Sequence, residues 1–261
     1  MKPVVIAVPY YKNELSPDEQ ISLNHLEKYL GRYDIFLVAP DGLQINLEKY
    51  PTKRFPAKYF KSTKSYSKLL LLERFYKQFS DYEYLLIYQL DCLVFSDQLL
   101  DWCQRGDDYI GAPWFKSQMI KRYDYPDACG NGGFSLRRID KAIEVIEKSK
   151  LPFWKIISQS FQTIAEIPSL NPKSILKAIK LAWSKSAAWR TLLNEDRYWS
   201  FEAQKIVADF KIPDVDTALR FAFEIGPRYC FERNHRQLPF GCHGWMKYDR
   251  NFWLPYIIKN N

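Results

Sequence analysis

The fold is decided by the stretch Tyr84-Leu85-Leu86-Ile87-Tyr88-Gln89-Leu90-Asp91, in which a continuous apolar run ends at an acidic residue. A short apolar run without polar alternation is typical of a strand buried on both faces. Two more runs of this kind, Val4–Val8 and Ile35–Ala39, precede it. Between the runs, Glu19–Leu30 and Ser65–Phe79 carry apolar residues at helical spacing. This alternation predicts an α/β fold with a mostly parallel central sheet flanked by helices.

Length and composition limit the class of protein. The chain has 261 residues, of which 47% are hydrophobic and 26% charged, and this composition suits a globular protein rather than a disordered one. We expect a single domain over residues 1–261, with a basic helical insertion at about 151–193. No apolar run is long enough for a transmembrane helix, and the apolar start is too short for a secretory signal. The five cysteines lack CxxC spacing, which favours a reducing cytoplasm.

The charge balance predicts anionic partners. Lysine and arginine number 38 against 30 acidic residues, a formal net charge of +8. Phosphates, nucleotides, nucleic acid and acidic membranes are all compatible with this excess. Residues 173–193 have the pattern of a basic amphipathic helix, which either lies on an anionic membrane or packs on the core with a solvated basic face. The chain carries no nucleic-acid motif, so nucleic-acid binding is kept only as an alternative function.

Several polar residues follow the predicted strands, where open parallel sheets bind ligands. Asp91 places a carboxylate at this edge, unless it only caps a turn. Val8-Pro9-Tyr10 and Asp41 close the first two strands and could contact a base or ribose, or form simple turns. Lys68 lies on the helix before the Asp91 strand and could reach a diphosphate, although lysines on helices are often merely solvated.

Residues further along the chain could supply acid–base or metal chemistry. The Glu195-Asp196 pair either caps the helix that follows or accepts a proton. His243 lies between a cysteine and a glycine in a tryptophan-bearing loop, which is an unusual environment for a core residue. A carboxylate, an imidazole and a diphosphate could together hold Mn²⁺ or Mg²⁺. Trp114 and Trp245 either stack on a sugar or pack in the core.

Tyr84–Phe95 resembles the metal-binding segment of nucleotide-sugar-dependent glycosyltransferases of the GT-A fold. Those enzymes carry an Asp-x-Asp motif after the same strand. In this chain Gln89 stands at the first aspartate position, and Asp91 keeps the last one, which contacts the metal. The resemblance implies that Gln89, Leu90 and Asp91 face the donor nucleotide sugar. The glutamine implies weakened or absent metal dependence.

The glycine-rich stretch Gly130–Phe134 resembles the loop that forms the floor under the donor sugar and borders the acceptor. The resemblance implies that Asn131, Gly132 and Gly133 contact substrate, since glycine lets the backbone approach a ligand closely. A tight turn between two elements is the structural alternative.

Asn194–Arg197 resembles the acidic segment of inverting galactosyltransferase-like enzymes. The resemblance implies that Asp196 is the general base and that Glu195 holds the acceptor or serves as a second base. The stretch Cys242–Trp245 resembles the loop whose histidine completes the metal shell, so His243 would join Asp91 as a ligand.

Taken together, the motifs are similar to a poorly characterised family of bacterial glycosyltransferase-like proteins. The resemblance implies an inverting hexosyltransferase that moves a sugar from a nucleoside-diphosphate sugar, with UDP-sugar expected, to a glycan or lipid-linked acceptor. Polysaccharide biosynthesis in the cytoplasm, on the inner face of the membrane, would be its setting. A degenerate relative that binds sugar nucleotide without turnover is the other alternative, because Gln89 replaces an aspartate.

Overall fold

The computed structural model describes residues 1–118, 127–149 and 194–258. A six-stranded sheet in the order β3-β2-β1-β4-β9-β6 forms its centre. The strands are β1 (Lys2–Pro9), β2 (Asp34–Pro40), β3 (Thr52–Phe55), β4 (Tyr82–Tyr88), β5 (Leu93–Val94), β6 (Tyr109–Gly111), β7 (Pro113–Trp114), β8 (Ala128–Cys129), β9 (Phe134–Arg138), β10 (Ala222–Phe223) and β11 (Gly241–Cys242). The strands β3, β2, β1 and β4 run parallel, whereas β9 is antiparallel to both of its neighbours. The predicted α/β fold with a mostly parallel sheet is confirmed.

Helices pack against this sheet. They are α1 (Pro17–Leu30), α2 (Thr63–Leu69), α3 (Glu73–Lys77), α4 (Leu99–Gln104), α5 (Ile139–Ser149), α6 (Glu195–Arg197), α7 (Ala203–Ile206), α8 (Val215–Phe221), α9 (Pro227–Arg233) and α10 (Arg250–Trp253). The single helix predicted over 65–79 is two helices, α2 and α3, separated by a turn. Within the described ranges, no helix has the length and apolarity needed to cross a membrane. The predicted insertion at 151–193 and its basic helix at 173–193 lie outside the described residues.

The apolar runs form the centre of the core. Val5 and Ile6 of β1 and Leu85 and Leu86 of β4 are fully buried, as expected for strands with covered faces. The α4 helix packs against β1, and α5 packs against β4 and β9. Burial of these strands fixes the position of the loops that follow them.

Strand register brings distant segments to one edge of the sheet. The parallel strands β1, β2 and β4 end there, and β9 starts there because Tyr88 pairs with Phe134. The loop before β9 therefore lies beside Gln89. A second, three-stranded sheet pairs Cys242 of β11 with Leu93 of β5 and with Phe223 of β10. This pairing carries the residues just after β11 and β10 to the segment that holds Asp91.

Candidate active site

His243 is the centre of a polar cluster at this edge. Its Nε2 lies 3.3 Å from Asp91 Oδ1 and 3.2 Å from Gln89 Oε1. Its Nδ1 lies 3.0 Å from Oε1 of Glu224, a buried residue that follows β10. A carboxylate on one ring nitrogen of a histidine fixes the orientation of the ring and presents the other nitrogen. Glu224 thus directs Nε2 of His243 toward Asp91.

The glycine-rich stretch Gly130–Phe134, called the glycine loop from here on, packs against this cluster. The Asn131 amide donates to Glu224 Oε1 at 2.7 Å, and the backbone N–H of Gly133 donates to Asn131 Oδ1 at 2.8 Å. Any Cβ at Gly133 would overlap the His243 ring. The sequence prediction made Asn131 and Gly133 substrate contacts. In the structure the Asn131 side chain is hydrogen-bonded at both ends and Gly133 leaves room for the imidazole, and contact of these residues with substrate stays a prediction.

Burial and neighbouring charges shift the pKa values in this cluster. Burial lowers the pKa of His243, but the Asp91 and Glu224 carboxylates outweigh that effect and raise it to about 10. Burial raises the pKa of Asp91, but the charge and the hydrogen bond of the His243 ring lower it by more. The net shift is downward. Asp91 is therefore held as a carboxylate.

The donor atoms fit a divalent cation. Asp91 Oδ1 is buried and is paired with Nε2 of His243. The Asp91 carboxylate and the Gln89 amide oxygen are donor types that Mn²⁺ accepts, and the His243 ring becomes a third once a cation displaces the Nε2 proton. Among the described residues, no group of three or more histidine, cysteine or acidic side chains is arranged for a metal. Phosphate oxygens of a substrate would therefore have to complete the shell, which is a common arrangement for Mg²⁺.

A buried ion pair lies on the other side of the glycine loop. Arg137 Nη2 and Glu195 Oε2 are 2.9 Å apart, and both side chains are buried. Arg137 also donates to the Gly132 carbonyl at 3.2 Å and to Tyr76 Oη at 3.0 Å. Any Cβ at Gly132 would overlap the Glu195 carboxylate. Glu195 is therefore the counter-ion of Arg137, and its role in holding the acceptor or as a second base stays a prediction.

Asp196 has a different environment from its neighbour. It is partly buried, and its Oδ1 accepts a hydrogen bond from the Arg197 backbone N–H at 2.7 Å. Burial and then the Glu195 carboxylate raise the pKa of Asp196 to about 7, with a smaller contribution from Glu224. A carboxylate with a pKa near 7 suits a general base at neutral pH.

The two halves of the site meet at the glycine loop. Gly132 packs against Glu195, the residue before Asp196, and Gly133 packs against His243. One tight loop thus holds the carboxylate pair on one side and the imidazole on the other.

A cavity of about 440 Å³ opens beside Asp91. This volume suits a cofactor-sized or nucleotide-sized ligand. Of the predicted residues, Pro9, Gln89, Leu90 and Asp91 line it. The lining residues that were not predicted are Tyr11, Lys12, Glu19, Phe60, Lys61, Ser62, Thr63, Tyr66 and Met246.

The other residues predicted at the donor lie away from this cavity. Val8 and Tyr10 are buried, and the Tyr10 hydroxyl donates to the Asn13 carbonyl. Tyr11, which is 55% exposed, lines the cavity in place of Tyr10. Asp41 and Lys68 are exposed on the surface and do not line it.

The two tryptophans predicted to contact sugar are buried. Trp245 is fully buried, and its indole N–H donates to Ser22 Oγ at 3.0 Å. Trp114 stacks on Phe201 and leaves no room for a Cβ at Gly130. Both rings belong to the packed interior, which corrects their predicted role as sugar platforms.

Two central residues were not assigned a role from the sequence. Arg137 could have been noticed as a charge within the strand β9, since an arginine buried in a strand needs a buried acid. Glu224 carries no local signal, because only the pairing of β10 with β11 brings it to His243.

The overall fold is similar to those of several solved glycosyltransferases. A glycosyltransferase involved in glycosylation of the major capsid of PBCV-1 is 12% identical, with 92% of each chain covered and a TM-score of 0.45. The galactosyltransferase LgtC, solved with donor and acceptor sugar analogues, is 12% identical, with 92% of this chain and 86% of that chain covered and a TM-score of 0.47. GlyE from Streptococcus pneumoniae TIGR4 is 12% identical, with 100% of this chain but only 61% of GlyE covered and a TM-score of 0.45.

These TM-scores lie below 0.5, so the function proposed below rests on the geometry of the site. No curated protein matches the chain. Residues 49–243, most of the sequence, match the model of a family described as protein of unknown function, DUF5672. The chain belongs to that family.

Proposed function

We propose that this protein is a glycosyltransferase that moves a sugar from a nucleoside-diphosphate sugar, with UDP-sugar expected, to a hydroxyl of a glycan or lipid-linked acceptor. One observation carries the proposal. Asp91 lines a nucleotide-sized cavity and forms a cluster with His243 and Glu224, and the glycine loop separates this cluster from a carboxylate of raised pKa, Asp196. The first group suits a bound diphosphate, and the second suits proton removal.

The donor half of the site holds negative charge from a substrate. Asp91 Oδ1 and His243 Nε2, with Gln89 Oε1 beside them, would hold Mn²⁺ or Mg²⁺. When bound, the cation would neutralise charge on the leaving diphosphate. Glu224 keeps the imidazole in place, and Lys61 adds a positive charge at the cavity wall. Rings of Tyr11 and Phe60 line the same cavity and could contact the base of the nucleotide.

The other half removes a proton. As the acceptor oxygen attacks the anomeric carbon, its proton passes to the Asp196 carboxylate. The bond between that carbon and the diphosphate oxygen breaks, and its electron pair leaves with the nucleoside diphosphate. A single displacement of this kind inverts the anomeric configuration. The Arg137–Glu195 pair holds α6, and therefore Asp196, against the glycine loop.

The test begins with binding and continues with turnover. Thermal shift over a panel of nucleotide sugars, with and without Mn²⁺, should find one donor that raises the melting temperature. Release of nucleoside diphosphate should then follow, and NMR of the product should show inversion. Binding without release would identify the non-catalytic alternative, and retention would contradict Asp196 as the base. Absence of binding under every metal condition would overturn the proposal.

The finer predictions from the sequence belong to this proposal as well. A hexose as the transferred sugar, and assembly of a bacterial surface polysaccharide or lipid-linked glycan on the cytoplasmic side of the membrane, are the setting that we propose. Screening of acceptors with the donor identified above would test this setting directly.

A further inference from the structure

Positive charge is concentrated in one short part of the chain. Residues 49–72 contain seven lysines and arginines and no acidic residue, against a net charge of +8 for the whole sequence. Lys53 and Arg54 of this stretch lie on the edge strand β3, where basic residues also hinder edge-to-edge pairing. We therefore consider the four lysines that follow β3, namely Lys58, Lys61, Lys64 and Lys68, and call them the basic rim.

The basic rim forms a continuous exposed feature. Lys58 lies on a short 3₁₀ helix that packs against α2. Lys61 directly precedes the N-cap of α2, and Lys64 and Lys68 lie on α2 itself. Lys64 and Lys68 are four residues apart and therefore lie on the same face of α2. All four lysines are exposed.

The lysines of the rim have no acidic partners among the described residues. Several lysines elsewhere do pair closely with acids, as Lys141 does with Glu144 and with Asp209 at 2.9 Å each. Across the parts of the chain that the structure describes, no acidic side chain forms an ion pair with a lysine of the rim. Like charges four residues apart on a helix repel, so Lys64 and Lys68 destabilise α2 slightly. An external anionic partner would remove that repulsion.

The chemistry of the rim favours a membrane over a nucleic acid. All four rim residues are lysines, which act as hydrated point charges, whereas recognition of individual phosphates favours the bidentate fork of arginine. The partly buried ring of Tyr59, next to Lys58 in the sequence, has the charges of Lys58 and Arg74 over it at 5.3 Å each. It is therefore not a free platform for base stacking, which single-stranded nucleic acids require. Diffuse attraction to anionic headgroups needs neither feature.

We propose that the basic rim is a docking surface for an anionic phospholipid bilayer. Lys61 also lines the cavity, so docking through the rim turns the mouth of the cavity toward the headgroups. This inference does not depend on the proposed function, because binding to vesicles requires no turnover. It also uses a different part of the chain from the predicted helix at 173–193.

Vesicle co-sedimentation tests the docking surface. The full chain is mixed with phosphatidylcholine vesicles that contain about 30% phosphatidylglycerol, and with pure phosphatidylcholine vesicles, at low and high salt. The variant Lys58→Gln/Lys64→Gln/Lys68→Gln removes three rim charges and spares Lys61. The matched control Lys28→Gln/Lys205→Gln/Lys211→Gln removes three exposed lysine charges elsewhere. Melting temperatures confirm that both variants fold.

We expect salt-sensitive binding to the anionic vesicles only. Each lysine near an anionic surface contributes about fivefold, so the rim variant should bind about a hundredfold more weakly. The control should lose much less. Failure of the full chain to bind anionic vesicles would overturn the proposal. Equal losses in the two variants would also overturn it, because the attraction would then come from net charge or from another segment.

Discussion

Asp91 and Asp196 lie on opposite sides of one glycine loop and have opposite electrostatic environments. The His243 imidazole lowers the pKa of Asp91 despite its burial. Burial, together with the Glu195 carboxylate, raises the pKa of Asp196 to about 7. Carboxyl groups whose environments separate their pKa values in this way take different roles in catalysis. The comparison assigns binding of the donor diphosphate and its cation to the Asp91 side, and proton transfer to the Asp196 side.

The largest effect on turnover is expected from a substitution at Asp196. Asp196→Asn keeps the shape of the side chain and removes its ability to accept a proton. We expect turnover, measured as release of nucleoside diphosphate, to fall by about 10²–10⁴-fold. The affinity for the donor should stay within about twofold of that of the unmodified protein. A variant that keeps more than about a tenth of the original rate would show that Asp196 is not the base.

A second substitution removes the support behind Asp196. Arg137→Met leaves the buried Glu195 carboxylate without its partner, which should lower the free energy of unfolding by about 3–5 kcal/mol. Denaturant unfolding measures this loss. The matched control, Arg137→Met/Glu195→Leu, removes both charges and should recover much of the stability. A loss below about 1 kcal/mol in the single variant would contradict the role of the ion pair.

A smaller effect is expected from the residue behind His243. Glu224→Gln keeps the size of the side chain but weakens the contact that orients the imidazole. We expect the affinity for Mn²⁺, measured by calorimetry in the presence of the donor nucleotide, to fall by about 10–100-fold. The Asp196→Asn variant is the control, because its metal affinity should not change. An equal loss in both variants would remove the distinction between the two sides.

The mildest perturbation of the site is a change of pH, which leaves the chain unmodified. A base must be deprotonated to act, so the rate at saturating donor should rise with pH and level off above about 7, the pKa of Asp196. Below that pKa the rate should change by about tenfold per pH unit. A pH–rate profile at constant ionic strength measures this rise. A flat profile between pH 5 and about 8 would contradict Asp196 as the titrating group.

The sequence predicted the part of the molecule that local patterns determine. The apolar runs at Val4–Val8 and Tyr84–Tyr88 predicted central strands, and Asp91 was expected at their carboxyl edge. Gln89, Leu90 and Asp91 lie together at the wall of the cavity, and their contact with a donor stays a prediction. Such features depend on burial and alternation, which a sequence displays directly.

Features that depend on pairing between distant segments could not be predicted from sequence patterns. Glu224 reaches His243 only through the register of β10 and β11. Trp245 was interpreted as a sugar contact, but its loop folds inward so that its indole meets Ser22. Tyr10 was chosen over Tyr11, because the pattern does not show that the chain remains paired with β2 through Tyr10. In each case, a tertiary contact decides which way a side chain points.

The most direct test of the two-sided site compares donor binding by Asp91→Asn and Asp196→Asn. Calorimetry with the identified nucleotide sugar and Mn²⁺ gives both dissociation constants under one condition. Asp91→Asn should bind the donor more than about a hundredfold more weakly. Loss of a residue that hydrogen-bonds to a metal ligand costs about 10–100-fold, and loss of the metal ligand itself should cost more. Asp196→Asn should bind as the unmodified protein does. Equal affinities in the two variants, or a loss confined to Asp196→Asn, would contradict the account.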